Sequence, residues 1–280
     1  MLILVLFSQA FAQIDECDTS DALITKNDNL KQDVPDHGRT FQVPVIFHVL
    51  WNINAENIAD SNIQAMITSL NADFMSLNAD YGSVPEVFTN AAGNPNISFV
   101  LADTLPDGKP TNGIMRTKTG IKIFSGASAH AMFKESKIIA PDRYLNVYIV
   151  DYKKGVNGAY PGTSKKDGII VDYTKADGVS RTITHETGHW LNLRHIWAYS
   201  NPVRGYKNCR NDDLNDTPIT KKHYSGKTYP NPLYECGKKN AVMFMNFMDY
   251  GNDRYFFTNH QAHKTRQTIL QKKPLIPTIQ

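Results

Sequence analysis

The sequence predicts an α+β domain. Three observations carry this: an alternating apolar run at residues 41–49, apolar residues at helical spacing from Ile63 to Leu77, and a histidine-bearing segment, residues 185–195, whose first half fits one helix face. The 280 residues are 41% apolar and 20% charged, an ordinary globular composition with room for one large or two small domains. A net charge of +3 selects no partner. No basic patch interleaved with aromatics suggests nucleic-acid binding, and there is no repeat or low-complexity tract.

The elements follow in order. Residues 1–12 are an apolar run ending in small-x-small, as a secretory signal does, and are too short to span a bilayer; the usual preceding basic residues are missing. Residues 13–38 are polar and aperiodic, which suits a short pro-segment or linker. In the strand at 41–49, Phe41, Val43, Val45, Phe47 and Val49 share one face, so His48 points to the other and reads as structural. Asp60 or Ser61 can cap a helix with Ile63, Met66, Ile67, Leu70, Phe74 and Leu77 on its apolar side. Residues 97–101, 145–150 and 169–171 read as strands, with turn chemistry at Asp107-Gly108 and Pro161-Gly162. A helix from about Val179 to Asn192 would be anchored by Ile183, Trp190 and Leu191. Thr258 with Gln261 forms a capping box opening a last helix toward Lys272, stopped by Pro274, with His260 and His263 solvated.

The histidine segment carries the chemistry. His185 and His189 lie one helical turn apart and can aim ring nitrogens at one ion; Glu186, one step round, sits where a general base acting on a zinc-activated water belongs. His195 reaches the same ion only if the chain turns sharply near residue 192, where Asn192 tolerates the left-handed conformation second only to glycine.

This stretch resembles the HExxHxxGxxH signature of the metzincin metallopeptidases, with Asn192 in place of the glycine. Asn246-Phe247-Met248-Asp249-Tyr250 resembles the Met-turn of that clan, with Met248 beneath the metal. Residues 213–218, 246–250 and 257–261, with 43–50, 111–114 and 144–147 before them, resemble the pappalysin family within it, over roughly residues 40–270. The resemblance implies a metzincin-type zincin catalytic domain over 39–280. A mixed five-stranded sheet with backing and active-site helices would form an upper subdomain at 39–192, and the Met-turn a lower one at 193–280. It implies a secreted zinc endopeptidase acting on protein or peptide substrates, with residues 155–162 as the upper rim of the cleft, where an extended substrate adds as a strand. Tyr250 becomes a candidate for binding the transition-state oxyanion. A preference for basic residues at the cut would be matched by Asp249 or Asp253.

Three cysteines fit an exported protein. The resemblance implies a Cys209–Cys236 bridge, leaving Cys17 as a free thiol or as the pro-segment thiolate that occupies the fourth zinc position in some zymogens of the clan. The acidic loop 211–217 suits Ca²⁺ as well as a solvated turn; Asp213, Asp216 and Thr217 are the candidate ligands. Stable membrane insertion is not expected, and no oligomer signal is visible, so a monomer is expected. Two other readings stand beside this one. A gluzincin would take a downstream Glu as third ligand, against which His195 and Met248 argue. A silent binding protein would keep the metal as a staple, against which Glu186 argues.

Overall fold

Strand β1 (Thr40–Trp51) is the spine of the molecule. The computed structural model describes residues 17–24, 38–162, 166–198, 208–224, 233–237 and 241–279. The signal reading of 1–12 and most of the pro-segment reading of 13–38 lie outside these residues. After β1 come α1 (Asp60–Phe74), β2 (Ala92–Gly93), β3 (Ile97–Leu101), β4 (Ile114–Lys118), α2 (Met132–Glu135), β5 (Leu145–Val150), β6 (Gly158–Ala159), β7 (Ile169–Asp172), α3 (Thr182–Trp190), β8 (Phe257–Thr258), α4 (Asn259–Lys272) and β9 (Thr278–Ile279).

The sheet is mixed. Its path β3-β1-β5-β7-β6 holds the expected five strands, and two further pieces, β4 and β9, pair with β1 beyond it. Pairings along the path are parallel except the last, where β6 lies antiparallel to β7 at the edge. The alternation in β1 works as its sequence dictates: Phe41, Val43, Val45, Phe47 and Val49 enter the core shared with α1 and α3. His48 faces the other side, fully buried and stacked on Tyr148, with Nδ1 2.7 Å from the Ser136 hydroxyl and Nε2 2.9 Å from Asn146 Oδ1.

Burial lowers the His48 pKa from 6.5 to about 4. Between these values the unfolded chain binds a proton that the folded chain refuses. The protein is therefore indifferent to His48 above about pH 6.5, and stability worth about 3 kcal/mol drains away as pH falls toward 4. Urea midpoints measured across this range are expected to decline less steeply in His48→Gln than in the parent, whatever the offset between them.

Helix α1 buries Ile63, Met66, Ile67, Leu70 and Phe74 against the sheet. Two expectations for it are corrected. The cap position falls on Ala59, which has no side chain to offer, and Asp60 instead pairs with Arg116. Leu77 is 75% exposed, because the helix stops at Phe74 and Ser76 turns the chain at φ 55°. The histidine-bearing helix α3 also starts later than Val179: Asp177 Oδ1 accepts the N–H groups of Val179 and Ser180, holding a turn ahead of it. Arg181 then ties α3 to α1, donating to Asp73 and to both Asp80 oxygens, while Thr184 donates to Asp73. Ile183, Trp190 and Leu191 are buried as expected. At the far end the Thr258–Gln261 capping box is formed, and α4 runs to Lys272 with His260 and His263 exposed.

Candidate metal centre

All nine residues of α3 are buried, which presses His185, Glu186 and His189 into the interior instead of onto a solvated face. Residues 191–195 then perform the required reversal. Asn192 takes φ 71°, and Leu193 N–H donates to the Gly188 carbonyl at 2.9 Å. This brings His195 back: its Nε2 lies 3.1 Å from that of His189, which is 3.1 Å from that of His185. Met248 packs directly beneath. A Cβ on Gly188, between the two helical histidines, would stand 2.4 Å from its sulfur, so the helix needs glycine there. The turn carrying Met248 is held by Asn246, whose Oδ1 accepts the Met248 N–H at 2.9 Å.

The outer nitrogens fix the tautomers. His185 Nδ1–H donates to the Phe247 carbonyl at 2.7 Å, and His189 Nδ1–H to the Leu193 carbonyl at 2.8 Å. His195 Nδ1–H donates to Asp21 at 3.0 Å. Carbonyls only accept, so the protons sit outside and three Nε2 lone pairs face one another. Burial, followed by the neighbouring imidazoles, holds His185 well below its usual pKa and His189 at about 3. Neutral imidazoles with converging lone pairs repel unless a cation lies between them. Tetrahedral zinc with Zn–N of about 2.0–2.1 Å sets ligand nitrogens about 3.3 Å apart, so this donor set fits.

Glu186 is buried beside the cluster, and burial pushes its carboxyl up to about 8. Tyr250 places its hydroxyl 3.3 Å from His195 Nε2 and donates to the Cys17 carbonyl at 3.1 Å. Trp197 stacks on the His195 ring with centroids 4.4 Å apart.

Segment 17–24 lies across this centre. Asp18 N–H donates to the Gly158 carbonyl at 3.0 Å, so the segment joins the β6 edge as an added, parallel piece of strand. Its alternation aims Cys17 and Thr19 inward, and the 3-10 turn Asp21–Leu23 that follows brings Asp21 to the same side. The Cys17 sulfur stands with the three histidines, all four ligand atoms within 4.8 Å of one another. The Thr19 hydroxyl donates to Glu186 at 3.0 Å and accepts the Tyr160 N–H at 2.7 Å. Asp21 accepts both the N–H and the Nδ1–H of His195, each at 3.0 Å. Burial, then the Glu186 charge, pushes the Cys17 thiol well up; only a cation among the histidines would favour its thiolate.

The remaining candidates lie elsewhere. Cys209 and Cys236 are bonded, as the resemblance implied. In the acidic loop, Asp213 pairs with Arg194, Asp216 accepts the Thr258 hydroxyl at 2.9 Å and the His260 N–H at 2.7 Å, and Thr217 donates to Asp212 and to the Leu214 carbonyl. These oxygens serve protein donors. Among the described residues, only the Cys17–histidine set converges as a group of three or more His, Cys, Asp or Glu ligands. Asp249 is buried, accepting the N–H groups of Tyr224 and Tyr250, whereas Asp253 is exposed. Thr19, Asp21 and Trp197 were missed by sequence reasoning.

The fold and this centre are those of a metalloendopeptidase. A solved Tannerella forsythia promirolysin mutant superposes with TM-score 0.75 at 32% identity, covering 87% of this chain and 85% of its own. Mature mirolysin of the same organism, in complex with a cleaved peptide, gives TM-score 0.72 at 32% identity, covering 85% and 98%. The family model described as Peptidase_M43, Pregnancy-associated plasma protein-A, matches residues 132–270. The chain belongs to the pappalysin family of metallopeptidases. An extracellular metalloprotease of Arthroderma gypseum is 26% identical over 225 residues, 74% of this chain and 64% of that protein, so the chain spans just under two thirds of its length. One from Arthroderma benhamiae is 25% identical over 264 residues, covering 83% and 77%. No helix among the described residues is long and apolar enough to cross a membrane.

Proposed function

We propose that the chain is a secreted zinc endopeptidase, made as a latent precursor and acting as a monomer on protein or peptide substrates. The observation that carries this is the convergence of three Nε2 lone pairs beside a buried carboxylate. His185, His189 and His195 would hold the zinc, which supplies Lewis acidity toward water and a peptide carbonyl. Glu186 takes the proton of the attacking water on its carboxylate and returns it to the leaving amine. The β6 edge aligns the substrate backbone, as it now aligns residues 17–19. The Tyr250 hydroxyl, already aimed at a carbonyl oxygen, donates to the developing oxyanion. Tyr250→Phe is expected to lower kcat by about 10²-fold with KM little changed; equal kcat in the two proteins removes that role.

Latency rests on Cys17, Thr19 and Asp21 in the cleft, with 1–12 as export signal and processing near residue 38. Recovery of the protein from culture medium with a new N-terminus near 38, and its mass in solution, test these points. A preference for basic residues at the cut falls to Asp253, the exposed acid of the two; Asp253→Lys is expected to abolish it in peptide profiling. Calcium in the 211–217 loop, supported by its crowding of carboxylates, predicts a Ca²⁺-dependent rise in melting temperature that Asp213→Asn and Asp216→Asn reduce. The main test is cleavage of a quenched-peptide library by the full chain trimmed within residues 25–37. No cleavage by zinc-loaded, trimmed protein favours a silent binding protein.

A further inference from the structure

In the run of residues 17–20, ahead of the 3-10 turn at Asp21–Leu23, Asp18 points opposite to Cys17 and Thr19, toward the loop between β5 and β6. Its carboxylate pairs with the Lys153 ammonium and accepts the Tyr152 hydroxyl at 3.3 Å. The surroundings are basic: Lys166 Nζ lies 2.9 Å from His130 Nδ1. Burial, then the charges of Lys166 and Lys153, hold the His130 pKa below its ordinary value, with Asp18 opposing. Lys153 also lies over the Tyr152 ring, 5.5 Å from its centroid, which steadies the long side chain. This corner takes no part in holding the metal or moving the proton.

We propose that Lys153 with the Tyr152 hydroxyl is a subsite for an acidic substrate side chain, and that Asp18 occupies it in the precursor. The inference rests on the peptidase reading above. A substrate strand laid on β6 alternates as residues 17–19 do, whichever way it runs. A neighbour of the residue at the metal therefore always faces Lys153. An Asp or Glu there gains a charge-assisted hydrogen bond in a half-exposed setting, where such pairs change affinity or rate by about three- to tenfold.

Two measurements on the folded full chain, trimmed within residues 25–37 and freed of its N-terminal segment, test this. In a quenched-peptide library, Asp and Glu are expected to be enriched about three- to tenfold at one position within two residues of the cut. Lys153→Met is expected to erase the enrichment, and Lys153→Glu to turn it toward Lys and Arg. In parallel, a fluorescent peptide of residues 14–24 is titrated into the trimmed Glu186→Gln protein. The Asp18→Asn peptide is expected to bind about three- to tenfold more weakly when Lys153 is present and no more weakly with Lys153→Met. In a parent that cleaves, enrichment that is absent or survives Lys153→Glu overturns the subsite, as does an equal loss of peptide affinity with and without Lys153. A parent that cleaves nothing while the peptide cycle still couples Asp18 to Lys153 overturns the peptidase reading and leaves the subsite standing.

Discussion

Glu186→Gln is expected to lower kcat/KM for peptide hydrolysis by about 10³-fold while the chain keeps its zinc. Glutamine fills the same volume, and its amide oxygen can still accept the Thr19 hydroxyl that reaches Glu186 at 3.0 Å. The three histidines keep their outer acceptors at Phe247, Leu193 and Asp21. What is lost is a group able to accept a proton. The substitution also removes a fully buried ionisable group whose carboxyl burial has already pushed up to about 8, so folding stability is not expected to fall. Hydrolysis, zinc content and melting temperature measured on one preparation separate a chemical defect from a folding defect. A loss smaller than about tenfold, in a region where general bases are worth 10²–10⁴, would assign the base elsewhere.

Cys17→Ala in the untrimmed chain is expected to raise hydrolysis by at least about tenfold, the counterpart of 1.4 kcal/mol taken from segment binding. Cys17 is the one thiol among four convergent ligand atoms, and its loss opens the position that a catalytic site must keep free for water. The gain stays below that of full trimming, because Thr19 still joins Glu186 and the Tyr160 N–H, Asp21 still takes two donors from His195, and Arg194 still donates to the Ile24 carbonyl. Adding Asp21→Ala is expected to close much of that gap. If the Cys17→Ala chain is as silent as the parent and needs the same trimming, the thiol has no part in latency.

These expectations also show which parts of the site were legible in the sequence. The pair His185 and His189 is a local pattern: helical geometry alone puts residues four apart on one face. The reversal at Asn192 is local too, since few residues accept φ near 71°. The apolar face of β1 and the capping box of α4 were readable for the same reason. By contrast, the acceptors that orient His185 and His189 are backbone carbonyls of Phe247 and Leu193, which carry no side-chain signature. Thr19 and Asp21 act only because a polar, aperiodic stretch is laid against β6 from far along the chain. The sole trace is the inward alternation of Cys17 and Thr19, meaningful once that strand addition is known, while Asp21 arrives through the 3-10 turn that follows. Leu77 and Asp60 were misread because periodicity and capping preference do not foresee where a turn or an Arg116 partner intervenes.

The measurement that bears most directly on the central claim follows zinc and hydrolysis together. Trimmed protein is stripped with a chelator, assayed on a quenched peptide, reloaded with zinc and assayed again, with metal content determined at each step. About one zinc per chain is expected, with hydrolysis lost and regained in proportion to it. Hydrolysis that persists without zinc, or protein that carries one zinc in the histidine centre and cleaves nothing, would contradict the account.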